Sequence, residues 1–125
     1  MLDAGIFTTA MLLGKREGLI VGALAGFLND FIAGYAAYMF FTLVIHGLQG
    51  YLGVVTKNKW MNYFLATFVM VAGYFIADMF IVGSLGVALP DMVINAVQTS
   101  AGFAIALLLS EILKKSGALH GFNTN

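Results

Sequence analysis

Long apolar runs alternate with short polar interruptions along this chain. The runs occupy residues 2–14, 17–33, 36–56, 60–86 and 90–113. They are continuous and lack the period-two alternation of a membrane β-barrel, so they predict helices. A membrane-spanning helix takes about 20 apolar residues, in a range of roughly 17–25, and the first run falls short of that. The interruptions are "GKREG", "GYAAY", "TKNKW" and "GSLGVALPD". In the last of these Gly83, Gly86 and Pro90 supply turn chemistry, and Pro90 is expected in the first turn of the final helix.

Composition sharpens the picture. Hydrophobic residues make up 61% of the 125, charged residues only 10%, and the mean hydropathy is +0.94; soluble domains carry roughly a quarter charged residues. The fold class is therefore all-α, an integral membrane helical bundle forming one domain. Six basic residues balance six acidic ones, so no excess of positive charge points to nucleic acid. The lack of cysteine excludes disulfides, thiolate metal sites and cysteine nucleophiles. The opening "MLDAGIF" lacks the basic segment of a signal peptide.

Where the charges fall gives an orientation. Lys15 and Arg16 follow the first run, Lys57 and Lys59 the third, and Lys114 and Lys115 the fifth, which puts every basic residue on one side. By the positive-inside rule that side is the cytoplasm, so the carboxyl terminus lies inside and Trp60 and Tyr63 sit at the inner interface. Five runs then leave the amino terminus outside, an awkward start for a short first run without a signal sequence. A further helix is expected before Met1, giving a multi-pass cell-membrane protein of six helices.

The acids sort oppositely. Asp3, Asp30, Asp78 and Asp91 map to the outer half, while Glu17 and Glu111 lie at the inner edge near Arg16 and Lys114. Counting about 1.5 Å per residue, Asp30 lies roughly 6 Å and Asp78 roughly 12 Å from the outer helix ends. A charged group in a span costs at least about 2.5–3.5 kcal/mol, so it normally faces a partner or a water-filled cavity. Thr42, Asn95 and Gln98 fall at similar depth. Tyr74 with Asp78, and Asp91 with Asn95 and Gln98, each share one helix face. Together with Asn29 and Tyr35 these residues can line one pocket. Each also has an ordinary structural reading: Asn95 and Gln98 as interhelical hydrogen bonds, Tyr35 and Tyr38 as belt residues, Asp3 and Asp91 as solvated helix ends.

Gly18, Gly22 and Gly26 form a stripe that lets another helix approach closely, and Gly47, Gly50 and Gly53 repeat the device. They read as packing residues. His46 and His120 have no second ligand at a matching spacing, so no metal site is expected. No phosphate-cradling loop is present either, and the chain is not expected to hydrolyse ATP or act as an enzyme.

The order of signals resembles a known family. A short helix ends in Gly14, Lys15 and Arg16, and a glycine-rich helix runs from Gly18 to Asp30. "GYA" follows at 34–36, then "TLVI" leading to a glycine-spaced stretch at 42–53, and finally "LPDMVINAVQTSAGFAIALLLSEILKK". This is similar to the substrate-binding S component of energy-coupling factor (ECF) vitamin transporters, in the branch of riboflavin-type and pyridoxine or hydroxymethylpyrimidine-type proteins. His46 stands where that pattern commonly carries lysine. The resemblance implies six helices and an outward-facing site built from loops and the last three helices. It also implies capture of a vitamin or precursor from outside, and work with a transmembrane coupling subunit and two ATPase subunits, without a cofactor. A pocket of that kind would use Asn29, Asp30, Tyr35, Thr42, Tyr74, Asp78, Asn95 and Gln98, with Tyr74 stacking on a flat ring; pyridoxine or hydroxymethylpyrimidine is favoured. Two alternatives remain from the residues alone. One is a small ion-coupled transporter or channel with Asp78 as its proton or ion site. The other is a structural membrane subunit whose polar residues only fix helix packing.

Overall fold

The computed structural model describes residues 2–116. Over them the chain forms α1 (Leu2–Leu13), α2 (Lys15–Ala33), α3 (Met39–Leu52), α4 (Lys59–Ile81) and α5 (Leu85–Ser116), with no strand. Each helix packs on its neighbour in sequence, α1 closes the ring against α5, and α1 also touches α3. Short connections turn each helix back on the last. The four aspartates therefore gather at one end of the bundle and the six basic residues at the other.

The helix ends differ from the apolar runs because hydropathy does not mark where a helix stops. Apolar residues continue through turns, as Val54 and Val55 do after α3, whereas caps set the boundaries. Asn58 caps α4 by accepting from the Trp60 and Met61 amides. Gly34 caps α2 in the left-handed conformation at φ 87°, its N–H bonding to the Asp30 carbonyl. Gly83, at φ 72°, follows α4. The last helix starts at Leu85 rather than near residue 90, so Pro90 lies inside it instead of in its first turn. There the proline forgoes one bond to the Gly86 carbonyl. Gly86 is exposed, and the first turn is already closed by Val87 and Ala88 donating to Ser84, so the helix tolerates the loss.

By length and composition α4 and α5 are the two described helices long and apolar enough to cross a membrane, and only 22% of the most apolar window of each is buried. Their outward faces, with Phe64, Phe68, Phe80, Val93 and Val97 exposed, suit lipid tails. The short α1 is the centre of the packing, with Ala4, Ile6, Phe7 and Ala10 buried. Phe7 meets Phe103 edge-on at 5.1 Å, and both join Ala66 and Ala106 in a compact core. Trp60 is exposed next to Lys59, as an interfacial ring should be. Tyr63 packs inward, its ring on Phe103 and its hydroxyl bonded to Ser100.

The glycine stripe controls the α2–α3 contact. A Cβ on Gly18 would meet the Gly50 carbonyl oxygen at 2.5 Å, one on Gly22 would collide with the His46 carbonyl, and one on Gly50 with the Gly18 carbonyl. Backbone thus lies on backbone, which only glycine permits. At Gly26 the obstruction changes to side chains, Thr42 Cγ2 at 2.8 Å and the His46 Cβ at 3.0 Å. On α5, Gly102 plays the same part for the start of α1, where a Cβ would meet that of Asp3 at 2.6 Å. We expect Gly22→Ala to lower stability by about 1–3 kcal/mol, as overpacking does. Gly5→Ala, which meets nothing within 4 Å, should leave the melting temperature unchanged or slightly raised; equal melting of the two variants in detergent would contradict this account.

Candidate binding site

The site begins with where the acids stand on their helices. Asp30 and Asp78 occupy the last turns of α2 and α4, and their backbone carbonyls accept the terminal bonds from Gly34 and Tyr35, and from Val82 and Gly83. A carboxylate near a helix carboxyl end is opposed by the macrodipole. Each is therefore met by a hydroxyl from the next part of the chain. Thr42, one turn into α3, donates to Asp30 Oδ2, and Tyr38, at the start of α3, donates to Asp78 Oδ1 at 2.7 Å.

From Thr42 the contacts continue inward. The Tyr74 hydroxyl donates to Thr42 Oγ1 at 2.9 Å and lies 3.2 Å from His46 Nδ1. The other ring nitrogen, Nε2, is 3.6 Å from Asp3 Oδ1. Because Thr42 spends its hydrogen on Asp30 and Tyr74 spends its own on Thr42, the Tyr74 oxygen is left to accept from His46 Nδ1. A directed polar chain thus runs through all four helices α1 to α4, with a carboxylate at each end.

This chain forms one wall of a cavity of about 400 Å³. Asn29, Asp30, Thr42 and Tyr74 from the predicted set line it, together with Asn95 and Gln98 across on α5. The amides of Asn29, Asn95 and Gln98 have no hydrogen-bond partner among the described residues, and neither does the buried Asp3 Oδ2. Met70 supplies an apolar surface. Such a mixture, mostly preformed with a few free polar groups, is what small-molecule sites offer. At about 400 Å³ the space lies toward the small end of ligand cavities, commonly about 300–1,000 Å³.

Two predicted residues stand apart. Asp78 and Tyr35 line an adjoining recess of about 320 Å³ shared with Tyr38 and Asp91, whose mouth also touches Asp30, Tyr74, Asn95 and Gln98. Asp78 is 2% exposed and its Oδ2 is unpaired among the described residues, whereas Tyr35 is 61% exposed. Gly18 and Gly22 line neither space. Gly26 abuts Thr42 and His46 directly behind the wall.

Three expectations change. Asp3 is not a solvated end: it is 7% exposed, because Gly102 lets α1 sink against α5 and His46 faces it. Asp91 is half-buried in the recess rather than free at a helix start. The site draws on all five helices rather than on loops and the last three alone. Three further residues line these spaces: His46, read from the sequence as no metal ligand, Asp3, read as a solvated end, and Tyr38, read as a belt residue or a ligand contact. Depth counting carries a signal for Asp3, which shares the acid-bearing end. No spacing signals Tyr38, whose partner is forty positions away. His120 lies outside the described residues.

Comparison with known proteins places the chain in a family. Residues 1–115 match the family described as ECF-type riboflavin transporter, S component. A curated relative, the "Thiamine precursor transporter HmpT" of Lactococcus lactis subsp. cremoris (strain MG1363), is 47% identical over 122 residues, covering 98% of this chain and 73% of the relative. With a membrane bundle, a cavity at its acid-bearing end and both similarities in hand, the chain belongs to the S components of ECF-type vitamin transporters, and is a transport protein rather than an enzyme.

Proposed function

We propose that this protein captures a single-ring vitamin precursor, with hydroxymethylpyrimidine first and pyridoxine second, in the cavity between Asp30 and Asn95. The observation that carries the reading is that one small cavity collects a carboxylate, a threonine–tyrosine–histidine chain and three uncommitted amides. A flat, weakly basic heterocycle with an amino or hydroxyl substituent is complementary to that set. Its ring nitrogens and exocyclic donors meet Asn95, Gln98 and Asp30, and the Tyr74 ring flanks it. The similarity to a thiamine precursor transporter supports the same choice.

In this reading the cavity opens outward and the lysine-bearing end, with the carboxyl terminus, faces the cytoplasm. A transmembrane coupling subunit and two ATPase subunits supply the energy for release inward, since the chain has no nucleotide-binding loop of its own. The ion-coupled alternative has less support, because Asp78 is engaged by Tyr38 at the edge of the recess and the chain groups with S components.

Hydroxymethylpyrimidine should raise the melting temperature of the full-length protein in detergent, since a ligand at 100 times its Kd adds about 2.7 kcal/mol. Asp30→Asn and Asn95→Ala should each weaken binding at least about tenfold, the loss of one or two polar contacts, while melting of the unliganded protein stays near wild type. Stabilisation by no B vitamin or precursor would overturn the assignment. Orientation is tested separately: because the chain lacks cysteine, Lys115→Cys in intact cells should react with a membrane-impermeant maleimide only after permeabilisation, and Tyr35→Cys should react before it. The reverse pattern would invert the topology.

A further inference from the structure

The end of the bundle opposite the aspartates holds a second large cavity, of about 530 Å³. Its mouth carries Lys57, Lys59 and Lys114, contributed by the α3–α4 connection, the first residue of α4 and the last turns of α5. None of the three has an ion-pair partner among the described residues. Glu111 also lines the cavity, but its carboxylate lies 3.6 Å from Lys115 Nζ on the helix surface. The local balance is therefore positive, and the amino terminus of the 23-residue α4 adds its own partial positive charge.

The walls are built rather than incidental. Thr56 donates through both its amide and its hydroxyl to Asn62 Oδ1, at 2.9 and 2.7 Å, and Asn62 Nδ2 returns a bond to the Thr56 carbonyl at 2.9 Å. This clasp pins the α3–α4 connection to α4 and fixes where Lys57 and Lys59 emerge. Behind the lysines the lining turns apolar, with Met11, Val54, Phe103 and Leu107. The exposed Trp60 beside Lys59 marks the level of the bilayer surface.

We propose that this cavity is a binding site for one anionic phospholipid, with the phosphate held by Lys57, Lys59 and Lys114 and the upper part of an acyl chain on the apolar lining. Cationic head above apolar wall, at the membrane surface, matches both halves of that molecule. A free phosphate would satisfy the lysines and leave Val54 and Leu107 uncovered. A zwitterionic lipid would cover the lining and leave the lysines without net countercharge.

The test is native mass spectrometry of the delipidated full-length protein, titrated with phosphatidylglycerol, with phosphatidylcholine of the same chains, and with glycerol 3-phosphate. One equivalent of phosphatidylglycerol should be retained roughly tenfold or more tightly than phosphatidylcholine. The triple variant Lys57→Gln, Lys59→Gln, Lys114→Gln should lose that preference. Lys15→Gln, Arg16→Gln, which removes two charges from the same end outside the cavity and leaves the Glu111–Lys115 pair intact, should keep it. Melting curves of both variants confirm that they are folded, and Leu107→Trp, which fills the lining without touching charge, should weaken phosphatidylglycerol as well. Equal retention of the two lipids, equal loss in the cavity variant and in the Lys15, Arg16 control, or equally tight glycerol 3-phosphate would each overturn the proposal.

Discussion

The backbone-on-backbone contact between α2 and α3 is the constraint on which the rest of the structure depends. Gly18, Gly22 and Gly50 remove the side chains that would hold the two helices apart. Their axes then run close enough for Gly26 to sit against Thr42 and His46. That proximity is what lets Thr42 reach Asp30 and His46 turn toward Asp3 and Tyr74. Without a hydrophobic driving force between helices in lipid, packing of this kind and interhelical polar bonds do most of the work of association. The glycines thus link fold and cavity: the stripe is packing at Gly18 and Gly22 and becomes the back of the cavity wall at Gly26.

The second organising feature is the segregation of charge along the bundle. Aspartates at helix carboxyl ends are unfavourable in isolation, and burial in a membrane protein adds to that. Here Asp30 and Asp78 are each answered by a hydroxyl, and Asp3 by an imidazole, so the acidic end holds together through directed bonds. Two buried carboxylate oxygens, Asp3 Oδ2 and Asp78 Oδ2, nevertheless have no partner among the described residues. Buried polar groups normally find partners. The bundle thus answers one oxygen of Asp30 with Thr42 and keeps further polar capacity in and beside its cavity.

The basic end solves a different problem. Its lysines are placed by a short connection that Asn62 and Thr56 clasp to α4, and by the last turns of the longest helix. Trp60 stands exposed beside Lys59 at this end, while the Phe7–Phe103 core lies between the two ends. The short α1 joins all three regions, with Asp3 in the cavity at the acidic end, Phe7 in the core and Met11 at the cavity of the basic end. A helix too short to cross a bilayer is thereby the element around which the longer ones are arranged.

The amino-acid sequence by itself determined the helical class, the membrane environment, the division of charge between two ends and the packing role of the glycines. Each of these is a property of local composition or of spacing along one helix, which a linear pattern records. It also placed Asp30, Asp78, Thr42, Asn95 and Gln98 at similar depths, because depth follows from counting residues along helices of fixed rise. Only the tertiary structure decided which of them face each other. Rotation of one helix against another is not written in its own periodicity when apolar residues surround it on all sides. So Asp78 went to a recess with Tyr38 and Asp91, and Asp3 was drawn inside by Gly102. His46, which looked isolated in the sequence, became the link between Asp3 and Tyr74. Tyr63 bonded Ser100 and packed on Phe103, and α5 began before Pro90, because caps and partners from distant helices set those positions rather than hydropathy.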